Sequence, residues 1–237
     1  MKKLFTFGHQ AAQRNWTVAD MQANKGKLQL TEVTAMNGEQ ASNAADAGID
    51  TLITRSQMLA EVRAAAPTTF ITAALMLVDY PTEKDVLDGA MRAMDEGADA
   101  LYTTRSLRTI ETLAELNFPV MGHVGLVPPY STWIGGLRGY ANTADEAMIL
   151  SQRFRDMENA GAFAVEVELV PQQVLAEINN RTNLITFSIG SGSGGDVTIN
   201  SDTKILEFDM ASINASGSVD GGSISVAAGH QITSSGA

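Results

Sequence analysis

Three times along this chain a helical pattern stops at a glycine and a strand-like run begins at once: Asp46-Ala47-Gly48-Ile49-Asp50, Asp95-Glu96-Gly97-Ala98-Asp99 and Asn159-Ala160-Gly161-Ala162-Phe163. A glycine in that place supplies the left-handed residue that ends a helix, so each junction is a tight αβ turn. Apolar runs and helical patterns alternate around these turns. Strands are expected over 28–35, 49–54, 69–77, 98–103, 120–123, 163–169 and 184–189, and helices over 38–47, 58–65, 82–96, 107–116, 143–160 and 172–180. A repeated βα unit with short turns makes a parallel sheet, and six or seven units predict a (β/α)8 TIM barrel. An open doubly wound sheet is the alternative, but no Gly-x-Gly-x-x-Gly follows the first strand.

Both ends of the chain depart from this rhythm. Residues 1–15 read as an extension without a clear period. Residues 16–24 form a short helix candidate with Thr17 as N-cap and Asp20 as its acidic partner, broken by Lys25-Gly26-Lys27. Residues 197–200 are a candidate eighth strand, and 204–210 a brief amphipathic piece. From Ala211 onward the chain is rich in Ser, Gly and Ala, with little apolar bulk to offset its ordering entropy, which predicts a loose tail or an oligomer contact. The expected organisation is therefore one barrel at 1–200, with an N-terminal extension and helix, and an atypical segment at 201–237.

A chain of 237 residues is long enough for one such barrel. The balance of 16 Lys and Arg against 27 Asp and Glu, net -11, disfavours a general nucleic-acid or anionic-membrane surface. A small anionic substrate can still bind at a local positive group. With no cysteine, disulfides, thiolate metal sites and a cysteine nucleophile are excluded. No apolar run approaches a membrane span, and the basic start Met1-Lys2-Lys3 has no apolar core or cleavage pattern behind it, so an unprocessed cytoplasmic protein is expected.

In a barrel of this kind functional side chains sit where the strands end at the carboxyl face. Those ends carry Glu32 and Thr34, Arg55 and Ser56, Asp79 in the following loop, then Tyr102, Thr103 and Thr104, His123, Glu166 and Glu168, and Ser188. In Val165-Glu166-Val167-Glu168 the period of two puts both carboxylates on one face of the strand. Two inward carboxylates are costly unless paired or hydrogen bonded, and one desolvated near His123 is a credible general base. Each group also has a plainer reading. A lone histidine at a strand end is often a hydrogen-bonded structural group, the two glutamates could lie on a solvated edge strand, and Arg55 could close one of them in a salt bridge or else clamp a carboxylate substrate.

The segments Val120-Met121-Gly122-His123-Val124-Gly125-Leu126-Val127-Pro128 and Ala160-Gly161-Ala162-Phe163, running into Glu168-Leu169-Val170-Pro171, resemble the ketopantoate hydroxymethyltransferase family, as do Lys25-Gly26-Lys27, Val33-Thr34-Ala35 and Ile189-Gly190-Ser191-Gly192. The resemblance runs from about Thr17 to Gly192. It implies a barrel of the phosphoenolpyruvate/pyruvate-binding type, usually assembled as a homo-oligomer. It also implies transfer of a hydroxymethyl group from methylenetetrahydrofolate to a branched 2-oxo acid in pantothenate biosynthesis, with Mg2+ holding the oxo acid as its enolate. By position it makes Glu168 the base, His123 the histidine at the substrate and Ser56 the serine on the substrate carboxylate.

The acidic positions that the resemblance assigns to the metal carry Arg55, Ala74 and Thr104 instead, and Tyr102 stands where the family has a lysine. A magnesium ion needs hard oxygen ligands, so no metal ligand and no cofactor are expected here, and Arg55 is expected to bind a carboxylate or enolate oxygen directly. The expected function is a ketopantoate hydroxymethyltransferase-like enzyme that makes or breaks a C–C bond next to the carbonyl of a small 2-oxo acid. Glu168 and His123 are its catalytic groups, with Ser56, Arg55, Thr104, Tyr102 and Glu166 binding substrate. The alternatives are the family's own reaction, with Mg2+ relocated to groups such as Asp79, Glu32 or Glu166, and a non-catalytic carboxylate-binding barrel.

Overall fold

The computed structural model describes residues 1–199, 206–209 and 212–215. Its centre is a closed parallel barrel of eight strands: β3 (Leu30–Thr34), β4 (Thr51–Arg55), β5 (Phe70–Ala74), β6 (Ala100–Tyr102), β7 (Val120–Gly125), β8 (Ala164–Glu168), β9 (Ile185–Ile189) and β10 (Val197–Ile199), the last pairing with both β9 and β3. Helices α2 (Gly38–Asp46), α3 (Leu59–Ala65), α4 (Glu83–Asp95), α5 (Leu107–Glu115), α6 (Ala144–Asn159) and α7 (Gln172–Asn179) alternate with the strands. The predicted barrel is thus the observed one. Gly48, Gly97 and Gly161 have φ of 81°, 97° and 87°, the left-handed turn that lets each strand follow its helix at once. Helix α4 begins with a reciprocal capping box between Thr82 and Asp85.

Two apolar layers result from the period-two strands. Outward residues such as Leu52, Ile71, Leu101, Val165 and Val167 pack under the helices, and inward residues such as Ile53, Phe70, Ala100, Met121, Ala164, Ile185 and Phe187 fill the barrel. Full burial of Phe70 or Phe187 stabilises by about 2–3 kcal/mol each. Helix α1 (Val18–Asn24), capped by Thr17 and Asp20, adds Met21 to the inner cluster at the end where the strands begin.

That end is tied by one device used three times. An aspartate at the start of one strand accepts the backbone N–H of its neighbour: Asp50 from Thr31 at 2.9 Å, Asp99 from Ile71 at 2.9 Å, and Asp196 from Thr186 at 3.1 Å. Each aspartate is also held by a polar group from outside the sheet. Trp16 Nε1 donates to Asp50, Arg14 and Arg63 pair with Asp99, and Lys25 Nζ lies 2.6 Å from Asp196. The Lys25-Gly26-Lys27 break is therefore the latch of the closing strand, because Gly26 N–H also donates to Asp196.

Some boundaries move from their sequence positions for a physical reason. Strand β7 does not stop at His123 but continues to Gly125, because β8 still offers partners there: Gly125 is opposite Glu168, and Leu126 N–H donates to the Glu168 carbonyl. His123 consequently lies within the barrel wall. The N-terminal extension is an antiparallel hairpin of β1 (Lys2–Phe5) and β2 (Ala11–Arg14), too short to show a period in sequence, and Phe7 in its turn packs edge-on against Phe118 at 5.1 Å. Beyond the barrel, β11 (Leu206–Asp209) pairs antiparallel with β12 (Ser212–Ala215), whereas the rest of the segment expected as a loose tail or oligomer contact lies outside the described residues. Among the described residues no helix is long and apolar enough to cross a membrane.

The latch has a measurable weight. Asp196→Ala leaves Lys25 and the Thr186 amide without their buried acceptor and is expected to lower unfolding free energy by about 3–5 kcal/mol. Urea denaturation followed by circular dichroism measures the loss.

Candidate active site

A polar layer lies inside the barrel toward its carboxyl end. Inward-pointing Glu32 (β3), Thr51 (β4), Thr72 (β5), Tyr102 (β6), His123 (β7) and Glu166 (β8) are all buried, and Glu168 sits two residues further along β8 with its side chain 18% exposed. The parallel register sets the neighbours, with Glu32 opposite Thr51 and His123 opposite Glu166.

His123 is the hub. Its Nδ1 is 2.7 Å from the Tyr102 hydroxyl and 3.1 Å from Glu166 Oε2, while Nε2 is 2.6 Å from the Leu126 carbonyl and 3.4 Å from Glu168 Oε2. Burial pulls the imidazole pKa down, but hydrogen bonds and charge from Glu166 and Glu168 outweigh it and hold the ring at about 9. Tyr102 is pushed well above its ordinary range, first by burial and then by the charge of Glu166, so it remains a neutral phenol and a donor. Gly125 makes this close geometry possible. Its φ is 85°, and a Cβ there would lie 2.3 Å from the Glu168 carbonyl oxygen, so only glycine lets β7 and β8 meet beside the catalytic carboxylate candidate.

Across the barrel, Glu32 Oε2 accepts from Thr51 Oγ1 at 3.1 Å, while Glu32 Oε1 and Thr72 Oγ1 are buried without a partner among the described residues. Burial first, and the charge of Glu166 second, push the Glu32 carboxyl well above its ordinary value.

The remaining sequence candidates sit around the mouth. Ser56 is buried and its hydroxyl is 2.7 Å from Tyr80 OH. Arg55 ends β4 in the same inward column as Thr51 and Ile53, opposite Ala74, yet it is exposed. The ion pairs among the described residues do not include it, so the reading in which Arg55 closes a glutamate inside the barrel is replaced: those glutamates face His123 instead. The solvated-edge reading of β8 is likewise replaced, since Glu166 is buried between two paired strands. Thr104 is half-buried, and its carbonyl accepts from Tyr130 OH at 3.4 Å. Ser188 points away, donating to the Gly192 carbonyl at 2.6 Å.

Two mouth residues escaped the sequence reading. Tyr80 occupies the Ser56 hydroxyl, and the Arg105 guanidinium donates to the carbonyls of Leu77 and Tyr80 while its Nε is buried without a partner among the described residues. A cation just after strand β6 was the available signal for Arg105; nothing local singles out Tyr80.

The donor set for a metal follows from the same placement. Arg55, Ala74 and Thr104 line the positions that the family resemblance gives to metal ligands, Asp79 is exposed on the loop after β5, and Glu32 and Glu166 are enclosed in the barrel. Among the described residues no group of three or more His, Asp or Glu side chains is arranged to hold a metal ion.

Glu32 also gives a pH-dependent prediction. Its folded-state pKa is raised, so the stability it contributes is present below the unfolded value of about 4.3 and is lost as pH rises. Glu32→Gln removes that cost and is expected to raise stability at pH 7 by about 1–3 kcal/mol, with no gain at pH 4. Thermal unfolding at the two pH values reads this directly.

The geometry can be set beside known proteins. A family model described as ketopantoate hydroxymethyltransferase matches residues 34–212. The 3-methyl-2-oxobutanoate hydroxymethyltransferase of Thermotoga neapolitana is 31% identical over 221 residues, covering 82% of each chain. Among solved structures, phosphoenolpyruvate phosphomutase from Streptomyces platensis subsp. rosaceus superposes with a TM-score of 0.56 at 14% identity, over 77% of this chain and 80% of that one. The 2,3-dimethylmalate lyase, a member of the PEP mutase/isocitrate lyase superfamily, does so with a TM-score of 0.55 at 12% identity over the same shares, 77% and 80%. These two likenesses show the same barrel fold. With the family match spanning most of the barrel and extending beyond it, the chain belongs to the ketopantoate hydroxymethyltransferase family of enzymes.

Proposed function

We propose that this enzyme makes or breaks a C–C bond next to the carbonyl of a small 2-oxo acid and does so without the magnesium site that its family resemblance implies. One observation carries the reading: Glu168 stands part-exposed at the barrel mouth, 3.4 Å from a buried, paired His123. A carboxylate so placed can take a proton from the carbon beside a substrate carbonyl, the C–H electron pair passing into the enolate. Arg55 is an exposed guanidinium at the same rim, outside the ion pairs among the described residues, and suited to the substrate carboxylate in a way that a carboxylate side chain there would not be. Ser56, Tyr102, Thr104 and Glu166 complete the lining in this reading. The residues at the three former ligand positions do not suit Mg2+, being a cation, a methyl group and a neutral hydroxyl.

A second reading is favoured by the family itself. The relatives are named for the 3-methyl-2-oxobutanoate reaction, and retention of that reaction would bring in methylenetetrahydrofolate and Mg2+ held by other groups. In either reading the protein is a cytoplasmic homo-oligomer acting on a small carboxylate, with no nucleic-acid or membrane partner. The exposed apolar pair Met148 and Ile149 on α6 supports association between copies.

Calorimetric titration with 3-methyl-2-oxobutanoate, with and without magnesium, distinguishes the readings. Binding is expected to ignore both magnesium and a chelator, and Arg55→Ala is expected to weaken it at least about 100-fold. Binding that required magnesium would establish the second reading, and a catalytically silent, stable Glu168→Gln variant compared with an equally silent wild type would leave a carboxylate-binding barrel.

A further inference from the structure

The hydrogen bonds around His123 constrain its protons. The Leu126 carbonyl can only accept, and at 2.6 Å it requires a proton on Nε2. Nδ1 then faces two oxygens, Tyr102 OH at 2.7 Å and Glu166 Oε2 at 3.1 Å. If Nδ1 were bare, either the Tyr102 hydroxyl would satisfy it and the Glu166 oxygen would face a lone pair in a dry interior, or Glu166 would itself have to carry the proton and donate it to the ring. If Nδ1 carries a proton, it donates to Glu166 and lies against the Tyr102 oxygen, so the phenol turns its own proton away from the ring. The second arrangement gives each ring nitrogen a proton and an acceptor, and with a carboxylate at 3.1 Å from Nδ1 and another at 3.4 Å from Nε2 it is the one that sets the ring's charge between two opposite charges.

We propose that Glu166 is a positioning residue that holds His123 as a doubly protonated imidazolium, with the Nδ1 proton set between Glu166 and the Tyr102 oxygen. The titratable groups that face the ring are Tyr102 from β6 and Glu166 and Glu168 from β8; Glu32 from β3 lies across the barrel, where the charge of Glu166 acts on it. Because Glu32 is driven toward its neutral form, it does not compete for the ring's charge. The site thereby gains a fixed cation beside Glu168. The inference goes beyond the functional reading and does not depend on it, since it concerns ring protons and not turnover.

The test uses the full chain labelled with 15N at histidine, in a His9→Gln, His230→Gln background that leaves His123 as the one imidazole of the three in the sequence. Long-range 1H–15N spectra are expected to show both ring nitrogens protonated at pH 7.5, with a midpoint near pH 9. Glu166→Gln is expected to reduce the ring's proton affinity at least about tenfold, whereas Glu32→Gln leaves both ring protons in place. A singly protonated ring at pH 7.5 in the otherwise unaltered chain would overturn the proposal even if Glu166→Gln failed to fold. So would an unchanged midpoint in a folded Glu166→Gln, or loss of the ring proton in Glu32→Gln.

Discussion

The structure depends on how the last strand of its barrel is held. β10 is three residues long, and a three-residue strand closes an eight-stranded barrel only with help from beyond its own ladder. Asp196 provides that help. Its carboxylate joins the amide and hydroxyl of Thr186 on β9, the amide of Gly26 and the ammonium of Lys25, binding the loop after α1 to the closing edge. Asp50 and Asp99 repeat the device at earlier strands. All three lie where the strands begin, so the rigid, charge-paired end of the barrel is also the end farthest from the candidate chemistry, as expected for a fold that separates stability from function.

A barrel tied at one end can tolerate an expensive interior at the other. Glu32, His123 and Glu166 are each at most 6% exposed, and burying such groups costs several kcal/mol unless each is matched by partners. His123 and Glu166 match one another, and Tyr102 completes the set. Glu32 is only half satisfied, through Thr51. An apolar residue at that position would join the inner apolar cluster of the barrel at lower cost, so the polar layer reads as a feature kept for the site and not for stability.

How far the site was legible in the sequence varied with the range of the interaction. The alternation in Val165-Glu166-Val167-Glu168 announces two carboxylates on one face, because strand geometry has a period of two. That His123 would take one carboxylate at each ring nitrogen could not be read, since the contact depends on β7 continuing past His123 to pair Gly125 with Glu168. The sequence placed Arg55 at a strand end but left open what it faces, and the structure leaves it exposed at the rim. Tyr80 and Arg105 were missed because their significance lies in contacts with Ser56 and with loop carbonyls from other βα units.

By itself the sequence determined the barrel, through glycine-stopped helices and apolar strands whose signals are local and repeat along the chain. It also determined the chemical types available at the mouth, including the arginine, alanine and threonine where the family resemblance places metal ligands. The tertiary structure alone decided which of these groups meet, which nitrogen of His123 faces which carboxylate, and which acid is left without a full set of partners. The reason is that a barrel brings together residues separated by tens of positions through strand register, and register is set by pairing between strands rather than by any one stretch of sequence.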